Sequence, residues 1–333
     1  MNPGVSIVIL NWNGSEDTIE CLESLYQINY PKYDIIIVDN GSEDDSIKKI
    51  KEYFGNNKFS SYAEANMPVN VFEYTKKDIE TGIKLENDFK ACKNTVIIKN
   101  DKNEGFAEGN NIGMRFALEN LNSDYILLLN NDTIVNKDFL DPLVNIAEND
   151  ALVGMVGPKI YYYDTPNKIN AAGGKIIWHL GAGVNIGSGK DDKGEFDEIL
   201  EMDYLMGACI LIRKDLIKKI GNFDKNLFLL FEDTDLCIRA KKAGYKMIYT
   251  PESSIYHKEG ISAKKSPIKL YYMYRNRIIL IRKHQKVIKE FIFLFYISGR
   301  SITASMINCL FGDFETGKII AKGVLSGLKT KIR

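Results

Sequence analysis

The chain has 333 residues, of which 45% are hydrophobic, so it can bury a sizeable core in one large α/β domain with an appendage or in two modest domains. Its 44 basic and 44 acidic residues cancel, which argues against a dedicated nucleic-acid binder, because such a protein needs basic residues to neutralise phosphates. Its five cysteines are scattered and form no CxxC pair, which argues against a disulfide framework and a thiolate zinc site.

The sequence predicts neither a secretion signal nor a membrane-spanning helix. The first residues lack the basic region and the cleavage site of a signal peptide. No stretch reaches the ~20 apolar residues that a spanning helix needs. The nearest approach, residues 291–297, is followed by Gly299 and Arg300. We therefore expect a cytoplasmic protein.

Short apolar runs alternate with helical patterns along much of the chain. They predict strands at residues 5–10, 34–38, 96–98, 125–129, 153–157, 205–212 and 246–250. Helices are predicted after the first strand, after a capping pattern of Ser42 and Asp45, and at residues 111–121, 215–220 and 234–243. Strands buried on both faces that alternate with helices are typical of a parallel sheet built from βαβ units. The polar segment 55–94 interrupts this order and is predicted to be a surface insertion.

Polar clusters follow four of these strands, and open α/β sheets bind their ligands beyond the carboxyl ends of the strands. The clusters are NWNG at 11–14, DNGS at 39–42, NEGFAEGNNIG at 103–113 and NNDT at 130–133. The ring of Trp12 can stack on a nucleobase, and the carboxylate of Asp39 can accept hydrogen bonds from a base or ribose. Glycines let a ligand approach the backbone closely. Each cluster alone is also compatible with an ordinary turn or helix cap.

Carboxylates mark two candidate sites for chemistry. Asp132 offers the hard oxygen ligand that Mg²⁺ or Mn²⁺ uses together with diphosphate and water, although a polar turn is the alternative. Glu232, Asp233 and Asp235 open a predicted helix, whose N-terminus favours an ionised carboxylate, and a dipole-matching role is the alternative. His257 follows the last predicted strand and is a further candidate, although a lone histidine is more often a packed or surface residue.

Together these stretches resemble the family 2 glycosyltransferases, and within them the rhamnosyltransferase-like branch. The resemblance rests on VSIVILNWNG, IIIVDNGSEDDS, NEGFAEGNNIG, YILLLNNDTIV, MGACILIRKDLIKKIGNFD and LFLLFEDTDLCIRAKKAGYKMIYTPESSIYH, which occur in the family's order over residues 5–257. It implies a GT-A fold over residues 1–261. This is an α/β domain with a Rossmann-like, mostly parallel central sheet and flanking helices, followed by a C-terminal helical extension at 262–333.

The resemblance also implies roles for individual residues. Asp233 matches the catalytic base of the family's ED motif. Glu232 precedes the predicted helix, and from that position we expect it to orient the acceptor. Asp132 lies in the place of the DXD metal motif, where Asn130 replaces the first acidic residue, and His257 matches a later histidine that completes the metal site. The residues expected to hold the donor nucleotide are Asn11, Trp12, Asn13, Asp39, Asn40, Gly41, Asn103, Gly105, Asn110 and Asn131.

The predicted reaction is inverting transfer of a sugar, for which the branch suggests rhamnose, from a nucleoside-diphosphate sugar. The acceptor is a hydroxyl of a glycan or lipid-linked molecule in cell-surface polysaccharide or glycoconjugate synthesis. The implied cofactor is Mg²⁺ or Mn²⁺, and no nucleic-acid partner is expected. The alternative is a non-catalytic protein of the same fold that binds a nucleotide sugar or a glycan.

The region 262–333 combines apolar, aromatic and basic residues in a helical pattern, and one helix is predicted to run from Tyr271 through Lys289. Such a composition suits helices that lie on an anionic membrane surface. Helices packed on the catalytic domain are the alternative. Peripheral contact with the inner face of the cell membrane is therefore a further expectation.

Overall fold

The computed structural model describes residues 2–55, 70–81, 93–258 and 266–332. The strands are β1 (Val5–Asn11), β2 (Tyr33–Asp39), β3 (Val71–Thr75), β4 (Thr95–Lys99), β5 (Tyr125–Asn130), β6 (Thr133–Val135), β7 (Val153–Tyr162), β8 (Ile169–Ala171), β9 (Gly174–Ile177), β10 (Ala182–Asn185), β11 (Leu200–Glu201), β12 (Cys209–Arg213) and β13 (Lys246–His257). Within these ranges, eleven strands form one sheet, in the order β11-β13-β7-β12-β5-β1-β2-β4-β3 with β6 paired to β13 and β8 to β7. β9 and β10 form a separate hairpin.

Helices cover both faces of this sheet. They are α1 (Ser15–Leu25), α2 (Ser46–Gly55), α3 (Lys76–Glu80), α4 (Gly105–Asn120), α5 (Leu140–Asn149), α6 (Lys214–Ile220), α7 (Glu232–Lys242), α8 (Pro267–His284), α9 (Val287–Leu310) and α10 (Phe314–Lys329). α1, α2 and α5 pack on one face, while α4, α6 and α7 pack on the other. The continuous apolar strands are buried from both sides for this reason. The predicted α/β layers are confirmed.

The parallel half of the sheet holds β5, β1, β2, β4 and β3 side by side. Its register places Asn11 beside Asp39, and Leu10 beside Asn130. The carboxyl ends of four strands that precede predicted polar clusters therefore meet at one edge. This arrangement confirms the parallel sheet that the apolar runs predict.

The other half of the sheet differs in detail from the sequence prediction. β12 lies antiparallel between β5 and β7, and β7 and β13 are longer than predicted. β13 continues beyond residue 250 because a bulge between Thr250 and Ser254 accommodates Pro251, which cannot donate to the ladder. His257, which we expected to follow the strand, is its last residue.

Two helix starts also differ from the prediction. α4 begins at Gly105 rather than near residue 111, so most of the Gly/Asn-rich cluster is helical. A Cβ on Gly109 or Gly113 would lie 2.5 Å from side chains of β1, so these glycines bring α4 close to the sheet. The predicted Ser42 capping pattern is wrong: α2 begins at Ser46, whose N–H is held by Asp44, and Ser42 instead donates to Asp39.

The described part of the predicted insertion 55–94 contains β3 and α3. β3 pairs in parallel with β4 and forms one edge of the sheet. Its side chains alternate between exposed and half-buried, as at a sheet edge. The sequence pattern there lacks the continuous apolar run by which the central strands are recognised, and the rest of this segment lies outside the described residues.

The C-terminal region is helical, as predicted. The helix expected to continue through Lys289 ends at His284, and α9 starts at Val287. α10 packs along α8 and α9. The predicted domain boundary at residue 261 lies outside the described residues. No helix in the described part of the chain is both long and apolar enough to span a bilayer.

Candidate active site

The edge at which β5, β1, β2 and β4 end gathers the predicted donor and metal residues. Asn11 ends β1, Asp39 ends β2 and Asn130 ends β5. Asn130 N–H donates to the carbonyl of Ala208, which joins this edge to the segment before β12. Gly207, next to Ala208, donates its N–H to Asp233. The sheet thus brings Asp233 to the same edge as the other predicted residues.

Asp39 lies in a fixed polar pocket and is 4% exposed. Its Oδ1 accepts from Asn11 Nδ2 at 2.8 Å and from Ser42 Oγ at 2.6 Å, and its Oδ2 accepts from the N–H of Ser42 at 3.2 Å. The buried Asn11 is itself fixed by the hydroxyl of Thr18 at 2.9 Å. The neighbouring Trp12 is 52% exposed, so its ring is available to a ligand beside this carboxylate.

Most of the other predicted donor residues brace the loops at this edge. Asn40 bonds to Asn100, Asn103, Glu104 and Gly105. Asn13 accepts from Glu43 N–H, Asn131 donates to Thr18, Asn110 donates to the Phe106 carbonyl within α4, and Gly41 has a φ of 70°. Their amide groups already have protein partners. They therefore shape the cleft, while the exposed Trp12 remains the better candidate for direct contact with a base, together with Oδ2 of Asp39, which accepts one hydrogen bond at 3.2 Å and can accept a second.

Asp132 and His257 lie together, as the family resemblance implies. Nε2 of His257 is 3.2 Å from Oδ1 of Asp132 and 3.4 Å from Nδ2 of Asn130. Nδ1 of the buried His257 is 3.1 Å from Oδ1 of Asn170. An amide oxygen accepts only, so Nδ1 carries a proton and Nε2 is the ring atom free to bind a cation. Burial raises the pKa of Asp132, but hydrogen bonding and charge from His257, when its ring is protonated, outweigh burial and lower that pKa, and a cation bound to both side chains would take the place of that proton.

The donor set at this pair fits a hard divalent cation that keeps part of its shell for substrate. Oδ1 of Asp132 is buried and has no aligned hydrogen-bond donor, so it is an acceptor left for a cation. No three His, Cys, Asp or Glu side chains cluster as metal ligands in the described ranges. Two protein ligands suffice where diphosphate oxygens and water supply the others.

Asp233 lies at the start of α7 with both oxygens held. Oδ2 accepts from Tyr204 Oη at 2.9 Å and from Gly207 N–H at 3.0 Å. Oδ1 accepts from the N–H of Thr234 at 2.6 Å and from its hydroxyl at 3.2 Å. Burial and the nearby carboxylate raise the pKa of Tyr204, so its hydroxyl remains a donor. These contacts orient a half-buried carboxylate.

Glu232 and Asp233 differ in their surroundings. Burial and the neighbouring Asp233 raise the pKa of Glu232 well above its ordinary value, and Oε2 of Glu232 is buried without a partner. Burial also raises the pKa of Asp233, although its hydrogen bonds act in the opposite direction. The helix start was expected to lower the pKa of Asp233, whereas the net shift of that pKa is upward because of burial. Of the two, Asp233 is the carboxyl that more readily ionises, because donors surround both of its oxygens.

Asp235 forms buried ion pairs, which is more than the interaction with the helix dipole that its position in the first turn predicts. Its side chain is fully buried, with Arg239 at 2.7 Å, Lys283 at 2.8 Å and His284 at 2.7 Å. Burial alone would raise the pKa of Asp235, but these three partners lower it. Lys283 and His284 belong to α8, so this carboxylate links the C-terminal helices to α7.

The sequence prediction missed the residues that support the site. Tyr204 and Asn170 contact Asp233 and His257 from remote parts of the chain, and no local pattern marks them. Gly207 lies in the stretch MGACILIRKDLIKKIGNFD, so its place in a family motif was the one available signal.

Several curated proteins are similar in sequence. The low-salt glycan biosynthesis hexosyltransferase Agl10 of Haloferax volcanii is 23% identical over 181 residues, which cover 53% of this chain and 57% of that protein. The dTDP-rhamnosyl transferase RfbF of Shigella flexneri is 25% identical over 223 residues, or 62% and 70% of the two chains. The rhamnosyltransferase WbbL of Escherichia coli is 26% identical over 163 residues, or 46% and 60%. The match thus spans less than two thirds of the Haloferax and Escherichia proteins.

Solved structures share the fold. GalNAc-T7 with UDP, GalNAc and Mn²⁺ aligns with a TM-score of 0.58 at 15% identity, over 85% of this chain and 48% of that one. The mannosyltransferase PcManGT of Pyrobaculum calidifontis, in complex with GDP-Man and Mn²⁺, aligns with a TM-score of 0.56 at 11% identity, over 99% and 88%. These likenesses confirm the GT-A fold. Residues 3–277 match the family described as "Glycosyltransferase like family 2", and the chain therefore belongs to that family.

Proposed function

We propose that this chain is a metal-dependent, inverting glycosyltransferase that moves one sugar from a nucleoside diphosphate to an acceptor hydroxyl. The observation that carries the proposal is the oriented Asp233 carboxylate, with four hydrogen bonds, at the sheet edge that also holds Asp39 and Asp132. Sugar transfer needs a base, a site for the nucleotide and ligands for a cation, and Asp233, Asp39 and Asp132 offer these three at one edge of the sheet.

In the proposed reaction, Trp12 and Asp39 hold the base of the donor, while Asp132 and His257 would hold the divalent cation. That cation supplies positive charge for the leaving diphosphate. Asp233 takes the proton of the acceptor hydroxyl, whose oxygen forms a bond to the anomeric carbon as the bond to the diphosphate breaks. Attack from the face opposite the diphosphate inverts the anomeric centre.

The donor is proposed to be dTDP-rhamnose, because two of the similar proteins are named rhamnosyl transferases. The test is a panel of dTDP-rhamnose, UDP-N-acetylglucosamine, UDP-galactose and GDP-mannose, scored by the melting temperature with and without Mn²⁺. A ligand at a hundred times its Kd stabilises a protein by about 2.7 kcal/mol, which raises Tm by several degrees. Asp39→Ala should lose this increase, whereas Asp45→Ala, an exposed carboxylate of the same loop, should keep it.

The panel also tests the non-catalytic alternative. A donor that raises Tm and releases its nucleoside diphosphate on incubation with Mn²⁺ supports an enzyme. A donor that raises Tm and stays intact with every glycan and lipid-linked acceptor supplied would favour a binding protein. No increase with any nucleotide sugar would overturn the proposal.

Peripheral membrane contact through α9 is part of the proposal. α9 exposes Phe291, Phe295 and Leu310 by 68%, 87% and 82%, and Lys286 and Lys289 beside its start are exposed. Neighbouring apolar and basic side chains of this kind suit an anionic lipid surface.

We expect the protein to float with anionic vesicles at low salt and to dissociate at high salt. Phe291→Ser combined with Phe295→Ser should weaken binding more than tenfold, because burying one Phe contributes about 1.5–3 kcal/mol. Leu152→Ser is the control, since Leu152 is 54% exposed on the catalytic domain. Parent protein that stays in the soluble fraction at low salt would contradict this prediction.

A further inference from the structure

The turn before α7 has an uncommon backbone. Phe228, Leu230 and Phe231 have φ values of 56°, 70° and 73°, although none of them is glycine. Side chains with a Cβ rarely adopt positive φ, and such residues persist where the surroundings hold them. This turn directly precedes Glu232 and Asp233, so its conformation sets where both carboxyl groups lie.

One side chain of α8 holds this turn. Asn276 is fully buried, and its Nδ2 lies 2.7 Å from the carbonyl of Leu227 and 2.9 Å from those of Leu229 and Leu230. The two N–H groups of the amide are thus shared among three carbonyls of the irregular turn, of which only that of Leu227 also accepts from a backbone N–H within the turn, that of Leu229. The amide oxygen accepts from Arg275, which also donates to Asn226.

α8 makes a further contact with this turn, and the start of α4 contacts it as well. The Phe228 ring stacks on Tyr272 of α8, with centroids 5.0 Å apart. A Cβ on Gly105 would lie 2.4 Å from the Phe228 ring, and the carbonyl of Phe228 accepts from Ala107 N–H at 3.1 Å. The turn therefore lies between α8 and the start of α4, and a shift in it moves the acidic pair relative to the donor.

From these contacts we infer that Asn276 is a positioning residue for sugar transfer. It holds the turn at 227–231 in the strained conformation that aims Asp233, so the C-terminal helices take part in building the active site. This inference rests on the proposed role of Asp233 as the base.

Asn276→Asp tests it, because the variant keeps the shape and the accepting oxygen but replaces the donor group. Arg282→Ala is the matched control: Arg282 also lies on α8 and donates to three carbonyls, those of Gly327, Leu328 and Thr330 in α10 and after it. We expect hydrogen–deuterium exchange in residues 227–235 to be about tenfold faster in Asn276→Asp, and unchanged in Arg282→Ala.

Turnover of the donor that the panel identifies should fall by about 10–100-fold in Asn276→Asp, with KM for that donor within threefold of the parent. Asn276→Ala, which removes the donor without adding a charge, should act in the same direction. Equal exchange in the parent and both Asn276 variants, or equal acceleration in Arg282→Ala, would overturn the inference. Asp233→Asn is measured beside them. If Asp233→Asn keeps the turnover of the parent, the proposed role of Asp233 as the base is wrong. If Asp233→Asn loses turnover while both Asn276 variants keep it, only the positioning role of Asn276 is refuted.

Discussion

Asp233→Asn should lower turnover by ~10²–10⁴-fold, which is the usual contribution of a positioned base. The asparagine nearly preserves the shape of the side chain, and its oxygen can still accept from Tyr204 or Thr234. Nucleoside diphosphate affinity, measured by calorimetry, should therefore stay close to that of the parent. Because burial raises the pKa of Asp233, activity should also fall, as pH is lowered, at a higher pH than for an ordinary aspartate base.

Two further variants show whether the loss of turnover is specific to Asp233. Asp215→Asn is the control, since Asp215 also lies in the first turn of a helix, α6, away from the site. Glu232→Gln should have the smaller effect, because burial and the neighbouring Asp233 raise the pKa of Glu232 well above its ordinary value, which makes it the poorer base of the two. If Asp233→Asn keeps the turnover of the parent while Glu232→Gln loses most of it, the base is Glu232 and the assignment to Asp233 is wrong.

Asp132→Ala should abolish the gain in nucleoside diphosphate affinity that Mn²⁺ confers on the parent. Loss of an outer-shell partner of a metal typically costs 10–100-fold in affinity, so loss of a carboxylate ligand should cost at least about 100-fold. His257→Ala should act in the same direction, because its Nε2 lies 3.2 Å from Asp132. The measurement is calorimetric titration of dTDP and UDP with and without Mn²⁺.

Asp17→Ala is the charge-matched control for that experiment. Its carboxylate is half exposed and pairs with Lys258, next to His257, without being a candidate ligand. If Asp132→Ala responds to Mn²⁺ as the parent and the control do, the cation lies elsewhere. Nucleotide binding without metal should be similar in all of these proteins, since Asp39 and Trp12 are intact.

The central sheet was predictable because its strands carry their own signal. The apolar runs in β1, β2 and β5 are buried on both faces, and the polar clusters after them follow from the sheet's direction. The later part of β13 was not predictable, because Pro251 and the polar residues after it resemble a loop. The start of α4 was hidden in a similar way, since glycine and asparagine are weak helix formers and their packing against β1 overrides that preference.

The residues proposed for the site could be named from the sequence, whereas the residues that hold them in place could not. Asp39, Asp132 and Asp233 stand beside strand ends or helix starts, where local sequence patterns identify them. Their neighbours come from far along the chain: Tyr204 is 29 residues from Asp233, and Asn170 is 87 residues from His257. Such contacts depend on the folded arrangement of the sheet, which a single sequence does not express as spacing.

The buried ion cluster around Asp235 limits where this protein can be truncated or joined to a relative in a chimera. Removing both Lys283 and His284 leaves Arg239 as its remaining partner, and an undercompensated buried charge costs a protein about 3–5 kcal/mol. A shortened protein that ends near residue 258 would have this defect, whereas one that ends after α8 would keep the cluster. A chimera that takes its C-terminal region from a relative must therefore carry α7 and α8 as a matched pair, and the junction belongs after residue 284.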